Sequence, residues 1–172
     1  MKIVTTPMCE EIVRLAGVTD YTVNKFPSKE DGDFAILLSE SKLKMEGLAI
    51  KINTPLQVFE SIKKVSKING NELSDMDVHR FFDDYKLAKK YLDSNFKREV
   101  NVKVYTEFLK DIAIDLGFNL VSDKFDYVIY PDYLKDNVME AENLVEIPSH
   151  NNISKNPFEK IEERYAILEN LI

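Results

Sequence analysis

The stretch that decides the fold is KIVTTPMCEEIVRLAG, residues 2–17. It opens with IVT (residues 3–5), a β-branched run that is typical of a short strand. Thr6 and Pro7 then predict a helix start, because threonine caps helices and proline is tolerated at the first helical position. Apolar residues follow at helical spacing, and Gly17 can end the helix in the left-handed conformation. We therefore predict one strand followed by one helix.

The same pattern recurs about one hundred positions later, in VKVYTEFLKDIAIDLG, residues 102–117. An apolar run that begins with Asp and an aromatic residue follows each copy, as DFAILL at 33–38 and as DYVIY at 126–130. Such runs suit strands that are covered on both faces of a parallel sheet. We therefore predict two similar strand-helix lobes with parallel strands and right-handed crossovers.

The connection between the two copies contains a long segment, residues 74–96, without glycine or proline. Its apolar residues recur at helical spacing, which predicts one helix of about 30 Å. The predicted fold class is α/β, with two small strand-helix lobes and parallel sheets joined by a long helix. We predict an N-terminal α/β lobe over 1–72, an inter-lobe helix over 73–98, and a C-terminal α/β lobe over 99–172 that ends in an amphipathic helix.

Composition and charge disfavour several classes of function. The net charge is −7, whereas a nucleic-acid binder needs a basic face, so we expect no nucleic-acid partner. No apolar run approaches the about 20 residues that span a bilayer, so we expect no membrane partner. A single cysteine and a strand-like N-terminus without a signal segment predict a cytoplasmic protein. No glycine-rich phosphate loop occurs, which disfavours nucleotide hydrolysis.

Candidate ligand-binding residues lie where the predicted strands end, because open parallel sheets bind ligands outside their carboxyl ends. The helix starts after Thr6 and Thr106 would favour a small anionic ligand, although both threonines could simply cap their helices. The tyrosines suit either a planar ligand or packing between the lobes. The predicted inter-lobe site comprises Thr5, Thr6, Cys9, Ser39, Glu40, Ser41, Tyr105, Thr106, Tyr130, Asp132 and Tyr133.

Catalytic and metal-binding residues are not expected. Cys9 in the first turn of its helix could form a reactive thiolate, but the two glutamates that follow oppose this, and a plain semi-buried cysteine is favoured. His79 and Asp83 share one helix face, but two ligands fall short of the about four of a closed zinc site. Glu40 has no identifiable partner for acid-base work. We leave any cofactor unknown.

The pattern resembles the class III periplasmic binding proteins that carry iron-siderophores or vitamin B12, and the related chelatase-like fold. The resemblance rests on residues 2–17, on 33–38, and on GLAIKINTPLQVFESIKKVSKING, residues 47–70. In that family a long helix joins two lobes and the ligand sits between them, which implies a small, tetrapyrrole-like ligand in a cleft. This chain is shorter than those proteins and lacks an evident set of ligand-gripping arginines.

The sequence also resembles, in its general character, the methanogenesis marker proteins of unknown role. That similarity implies an archaeal setting in cofactor biogenesis or in methyl-coenzyme M reductase maturation. We expect a cytoplasmic small-ligand-binding or accessory protein and lean away from an enzyme. Two alternatives stay open: a protein–protein assembly partner with a vestigial cleft, and an enzyme that uses Cys9 or Glu40.

Overall fold

The chain folds into two compact α/β units, and a computed structural model describes residues 1–42 and 44–172. The N-terminal unit comprises Met1–Asp84 with Lys155–Pro157, and the C-terminal unit comprises Tyr85–Ser154 with Phe158–Ile172. Each unit contains one four-stranded parallel sheet. The predicted fold class is confirmed. The division at residue 84 falls inside the segment that was predicted as the inter-lobe helix.

The sheet of the N-terminal unit has the strand order β2-β1-β3-β4. Its strands are β1 (Ile3–Thr5), β2 (Tyr21–Val23), β3 (Phe34–Leu38) and β4 (Gly47–Ile50), and its helices are α1 (Glu10–Leu15), α2 (Pro55–Ile68) and α3 (Asp75–Arg80). The core is formed by apolar side chains of β1 and β3 and by the inward faces of α1 and α2, including Val4, Ile12, Ala35, Ile36, Val58, Ile62 and Val65. Burial of this apolar surface is the main term that stabilises the unit.

Two helix starts of this unit differ, because one is capped by its threonine and the other departs from the prediction. At α2, Thr54 Oγ1 accepts a hydrogen bond from Gln57 N–H at 3.3 Å, as its Thr-Pro-Leu-Gln sequence predicts. At α1, Thr6 is not the cap, because the chain first makes a tight turn in which Cys9 N–H donates to the Thr6 carbonyl at 3.0 Å. The helix begins only at Glu10, with Cys9 in the capping position.

The sheet of the C-terminal unit repeats the same topology, with the order β6-β5-β7-β8. Its strands are β5 (Asn101–Val104), β6 (Asn119–Leu120), β7 (Tyr127–Pro131) and β8 (Leu144–Ile147), and its helices are α4 (Lys86–Asp93), α5 (Glu107–Asp115) and α6 (Pro157–Glu169). Short 3-10 helices follow β7 at Asp132–Asn137 and β8 at His150–Asn152. No helix of the described residues has the length and apolar character needed to cross a membrane.

The single long helix predicted over 74–96 is wrong, because α3 and α4 are separate helices with Tyr85 extended between them. The start of α4 is stabilised from far away in the sequence. Glu162 of α6 accepts hydrogen bonds from Leu87 N–H at 2.7 Å and from Ala88 N–H at 3.0 Å. These amides would otherwise lack a partner at a helix start. A distant carboxylate therefore makes a second helix start possible where the local pattern shows none.

Candidate functional site

In the N-terminal unit, the predicted site residues at the end of β1 belong to the structure of the sheet and its core. Thr5 is fully buried, and its hydroxyl donates to the Ile36 carbonyl on the neighbouring strand at 2.8 Å. Cys9 is fully buried as well, and Thr6 is half-buried in the turn before α1. A buried thiol is inert in the absence of an opening to solvent, so this geometry does not favour an enzyme that uses Cys9.

The end of β3 differs, because Ser39, Glu40 and Ser41 all lie in an exposed turn. A cavity of about 220 Å³ lies in the same unit, between the end of β4 and α2, but none of these three residues lines it. Its wall includes Ser61, whose hydroxyl already donates to the Lys51 carbonyl at 2.7 Å. The structure therefore does not bring the predicted residues of this unit together in the cavity.

In the C-terminal unit, Tyr105 holds the segment after the first 3-10 helix against β5. Its hydroxyl donates to Glu140 Oε2 at 2.5 Å and accepts from Met139 N–H at 3.2 Å. Lys103 Nζ lies 2.5 Å from Glu140 Oε1. The bonds from Lys103 and Tyr105 lower the pKa of Glu140 to about 2. The Tyr105 hydroxyl, which was predicted to contact a ligand, thus makes hydrogen bonds within the protein, to Glu140 and Met139.

Asp132, at the end of β7, organises the loop that follows β8. Its carboxylate accepts hydrogen bonds from Tyr133 N–H at 2.9 Å, Ser149 N–H at 3.0 Å and Asn152 Nδ2 at 2.7 Å, and also from the Ser149 hydroxyl. Burial alone would raise the pKa of Asp132, but these bonds hold it below its ordinary value. Asp132 therefore remains a carboxylate whose oxygens are occupied by donors of its own loops.

Ser149, His150 and Asp132 form a chain whose composition suggests a nucleophilic triad, but its order is wrong. His150 Nδ1 lies 3.0 Å from the Ser149 hydroxyl oxygen. That hydroxyl donates its proton to Asp132, and Ser149 is buried. In a triad the histidine stands between serine and carboxylate and takes the serine proton. The arrangement thus fixes a loop and does not activate a nucleophile.

The two remaining predicted tyrosines differ in exposure. Tyr130 is buried within β7, whereas the side chain of Tyr133 is 52% exposed. The Tyr133 ring packs edge-on against the His150 ring at a centroid distance of 5.0 Å. Tyr133 therefore presents aromatic surface to solvent at the carboxyl end of the sheet, and Tyr130 contributes to the core.

A buried cation that was not predicted from the sequence lies at this edge, namely Arg164 of α6, which is only 6% exposed. Its Nε–H donates to the Pro148 carbonyl at 3.0 Å, and its guanidinium carbon lies 4.7 Å from the centre of the Phe108 ring. Burial lowers the pKa of Arg164 to about 10, and the nearby charge of Asp132 opposes that shift. Its position three residues after Ile161, on the apolar stripe of α6, is a signal that could have identified it.

The ring that this guanidinium covers belongs to the first turn of α5, because Phe108 is the second residue of that helix. Thr106 occupies the capping position, but its side chain makes no capping bond. Among the residues that the structure describes, its buried Oγ1 atom has no hydrogen-bond partner. Thr106 was predicted either to cap a helix or to meet a ligand, and the first of these roles is not the one observed.

Comparison with known proteins defines the fold. No protein-family model matches the chain, and no curated protein sequence matches it. A Zn(II)-bound mutant variant of AdcAII from Streptococcus pneumoniae superposes with a TM-score of 0.56 at 13% identity, over 99% of this chain and 98% of that chain. The Zn(II)-bound ZnuA-like domain of S. pneumoniae AdcA gives 0.56 at 11% identity, over 99% and 97%. The metal-dependent lipoprotein YcdH from Bacillus subtilis gives 0.52 at 12% identity, over 99% and 97%.

The chain has the class III solute-binding-protein fold. This finding confirms the coarse part of the resemblance seen in the sequence, namely the two α/β units with parallel sheets. At 11–13% identity the similarity concerns the fold alone. The iron-siderophore or vitamin B12 type and the methanogenesis marker family stay predictions.

Proposed function

We propose that the chain binds a small ligand at the carboxyl edge of the sheet in its C-terminal unit. The observation that carries this proposal is the buried hydroxyl of Thr106, which has no hydrogen-bond partner among the described residues. Leaving such a group unsatisfied costs about 1–3 kcal/mol. A ligand that bonds to this hydroxyl removes that cost. Parallel α/β sheets also bind ligands outside the carboxyl ends of their strands, which is where Thr106 lies.

Zinc does not fit this site, although the similar solved structures are described as Zn(II)-bound. A zinc site takes about four ligands from His, Cys, Asp and Glu side chains. Within residues 1–42 and 44–172, no group of three or more such side chains is placed to hold a metal ion. Asp132, the carboxylate at the end of β7, already accepts four hydrogen bonds. We derive no role for zinc in this chain.

The cellular setting that we propose is the cytoplasm, where the single cysteine fits a reducing environment. A role in cofactor biogenesis or in methyl-coenzyme M reductase maturation in methanogenic archaea rests on sequence resemblance and stays a prediction. The tetrapyrrole-like ligand and stable protein partners also stay predictions. The proposed ligand site does not depend on any of them.

Native mass spectrometry of protein purified gently from its own organism tests the proposed function. We expect the intact chain to carry a bound small mass, and we expect the Thr106→Val variant to carry that mass at a lower occupancy. The fold of that variant is checked by circular dichroism. A bare wild-type chain that also shows no thermal shift with a broad panel of metabolites would contradict the proposal. Arrival with other proteins and no small mass would favour the assembly alternative.

A further inference from the structure

This inference rests on the proposed function, because it assigns the chemical class of the ligand at the same site. We propose that the site binds an oxyanion, a carboxylate or phosphate group, between the guanidinium of Arg164 and the free amides at the start of α5.

Arg164 is buried, and within residues 1–42 and 44–172 it has no carboxylate partner. No acidic oxygen of the described residues lies within 4.0 Å of its guanidinium nitrogens, and its one hydrogen bond uses Nε. Burying an ionised group without a partner is expensive, by several kcal/mol per ion. The two terminal nitrogens carry four N–H donors in a planar fork that matches a carboxylate or phosphate. Nothing else in the described structure occupies these donors.

Helix α5, whose nine residues begin directly after Thr106, offers a second set of donors. The amides of residues 107–109 have no partner among the described residues, and Thr106 does not cap them. Free amides and the positive end of the helix dipole favour an anion at this position. The orphan Thr106 hydroxyl adds a donor. Arg164 packs on the ring of Phe108, the second residue of α5, so the guanidinium contacts a side chain of the same helix turn that carries these amides.

The neighbouring carboxylates do not take the place of such an anion. Asp132 is close enough to influence Arg164, but its oxygens accept four hydrogen bonds from its own loops. It thereby fixes the loop whose Pro148 carbonyl positions Arg164. Glu107, in the first turn of α5, is exposed and pairs with Lys110 at 2.6 Å. The donors of Arg164 and of the helix start therefore remain available.

A substitution at Thr106 separates ligand binding from folding. In Thr106→Val the buried orphan hydroxyl becomes a methyl group of similar size, so the melting temperature of the free protein should be unchanged or higher. Affinity for the oxyanion should fall about threefold to tenfold, as for loss of one hydrogen bond. Thr54→Val is the matched control at the start of α2, because that hydroxyl accepts from Gln57 N–H. We expect it to lower the melting temperature and to leave oxyanion affinity unchanged.

Substitutions at Arg164 test the guanidinium itself. Arg164→Gln removes the charge, and Arg164→Lys keeps the charge but not the planar fork. We expect both to weaken oxyanion binding, on the order of tenfold to a hundredfold for the glutamine variant. If the glutamine variant fails to fold, the Thr106→Val measurement still decides the inference.

Isothermal titration calorimetry with inorganic phosphate and with succinate, at constant ionic strength set with chloride, provides the measurement. Binding of one ion per chain that is weakened by Thr106→Val and by the Arg164 variants supports the inference. Phosphate binding alone indicates a phosphate group, and succinate binding alone indicates a carboxylate. If neither ion binds, or if the variants bind as the wild type does, the inference is overturned. When mass spectrometry still finds a bound metabolite in that case, the proposed function stands without it.

Discussion

Replacement of Gly117 by alanine is expected to lower the free energy of unfolding by about 2–5 kcal/mol, against about 1–2 kcal/mol for the same change at Gly17. The two glycines end α5 and α1 in the same left-handed conformation, with φ of 82° and 85°. At both positions the next amide donates to a carbonyl five residues earlier, as in a Schellman motif. The backbone strain of an alanine is therefore similar at the two sites.

The difference lies in the space that a methyl group would meet. At Gly17 nothing lies within 4 Å of an added Cβ atom, whereas at Gly117 it would lie 2.4 Å from the Phe96 carbonyl oxygen and 2.6 Å from its carbon. Phe96 cannot relieve this contact by a side-chain rotation, since its backbone is involved. Arg98 N–H also donates to the Gly117 carbonyl at 2.9 Å, which holds that segment in place. Overpacking of this kind adds about 1–3 kcal/mol to the strain.

Urea unfolding followed by circular dichroism measures these free energies through the midpoint and slope of each transition. Gly70→Ala is a second control, because Gly70 has φ of 80° and also has nothing within 4 Å of an added Cβ. Hydrogen exchange should show the loss of protection concentrated near Phe96 and Arg98. If Gly117→Ala destabilises the protein no more than the two control variants, the steric reasoning is refuted.

Three further predictions concern carboxylates of the C-terminal unit. Burial raises the pKa of Asp115, which accepts a hydrogen bond from the Tyr165 hydroxyl at 2.5 Å. The charged carboxylate is therefore disfavoured in the folded protein, and stability is lost as pH rises from the ordinary pKa of aspartate through the raised one. Asp115→Asn should therefore raise the melting temperature at pH 7 but not at pH 3. Glu162→Ala removes the acceptor of two amides at the start of α4 and should lower the free energy of unfolding by about 1–3 kcal/mol in urea titration. The pKa of Glu140, lowered to about 2 by Lys103 and Tyr105, adds stability that is present above its ordinary pKa and lost as pH falls towards 2. Glu140→Gln should cost about 1 kcal/mol at pH 7 and flatten the dependence of stability on pH between 5 and 2.

Each of these three has a result that would contradict it. Equal melting temperatures of Asp115→Asn and wild type at pH 7 would show that the buried carboxylate does not lower the stability of the folded protein. Unchanged stability of Glu162→Ala would mean that solvent replaces the distant cap. An unaltered pH profile in Glu140→Gln would place the acid sensitivity elsewhere. Glu107→Gln serves as the common control, since its exposed pair with Lys110 should be worth less than about 0.5 kcal/mol.

The sequence supported the fold better than the helix boundaries. Apolar runs such as residues 33–38 and the recurrence of a strand-helix unit predict two parallel sheets, because burial on both faces demands such runs. The break between α3 and α4 was missed because Glu162, far along the chain, accepts the amides that open α4. The late start of α1 was missed because the turn from Thr6 to Cys9 uses main-chain atoms alone. Local patterns do not contain either cause.

Sequence rules could locate only those candidate site residues that directly follow a strand, because the others come from distant segments of the chain. The rule on carboxyl ends of strands selected Thr106 and Asp132, which do lie at that edge of the C-terminal sheet. The engagement of the Tyr105 hydroxyl by Glu140 depends on a segment that was predicted only as loop. Arg164 comes from the last helix, which the rule does not cover. A polar residue on the buried stripe of a terminal helix therefore merits inspection as a site residue.

The two halves of the repeat do not offer the same chemistry to an anion. In the N-terminal unit, α1 starts late, and its first turn carries two carboxylates, Glu10 and Glu11, that complement the positive end of the helix dipole. The first turn of α5 carries one, Glu107, which pairs with Lys110. In the C-terminal unit, α5 starts directly after Thr106 with free amides, and the buried Arg164 packs on the ring of Phe108 in its first turn. The same strand-threonine-helix pattern thus closes the helix start in one unit and leaves it open in the other. For this reason we place the ligand site in the C-terminal unit and not equally in both.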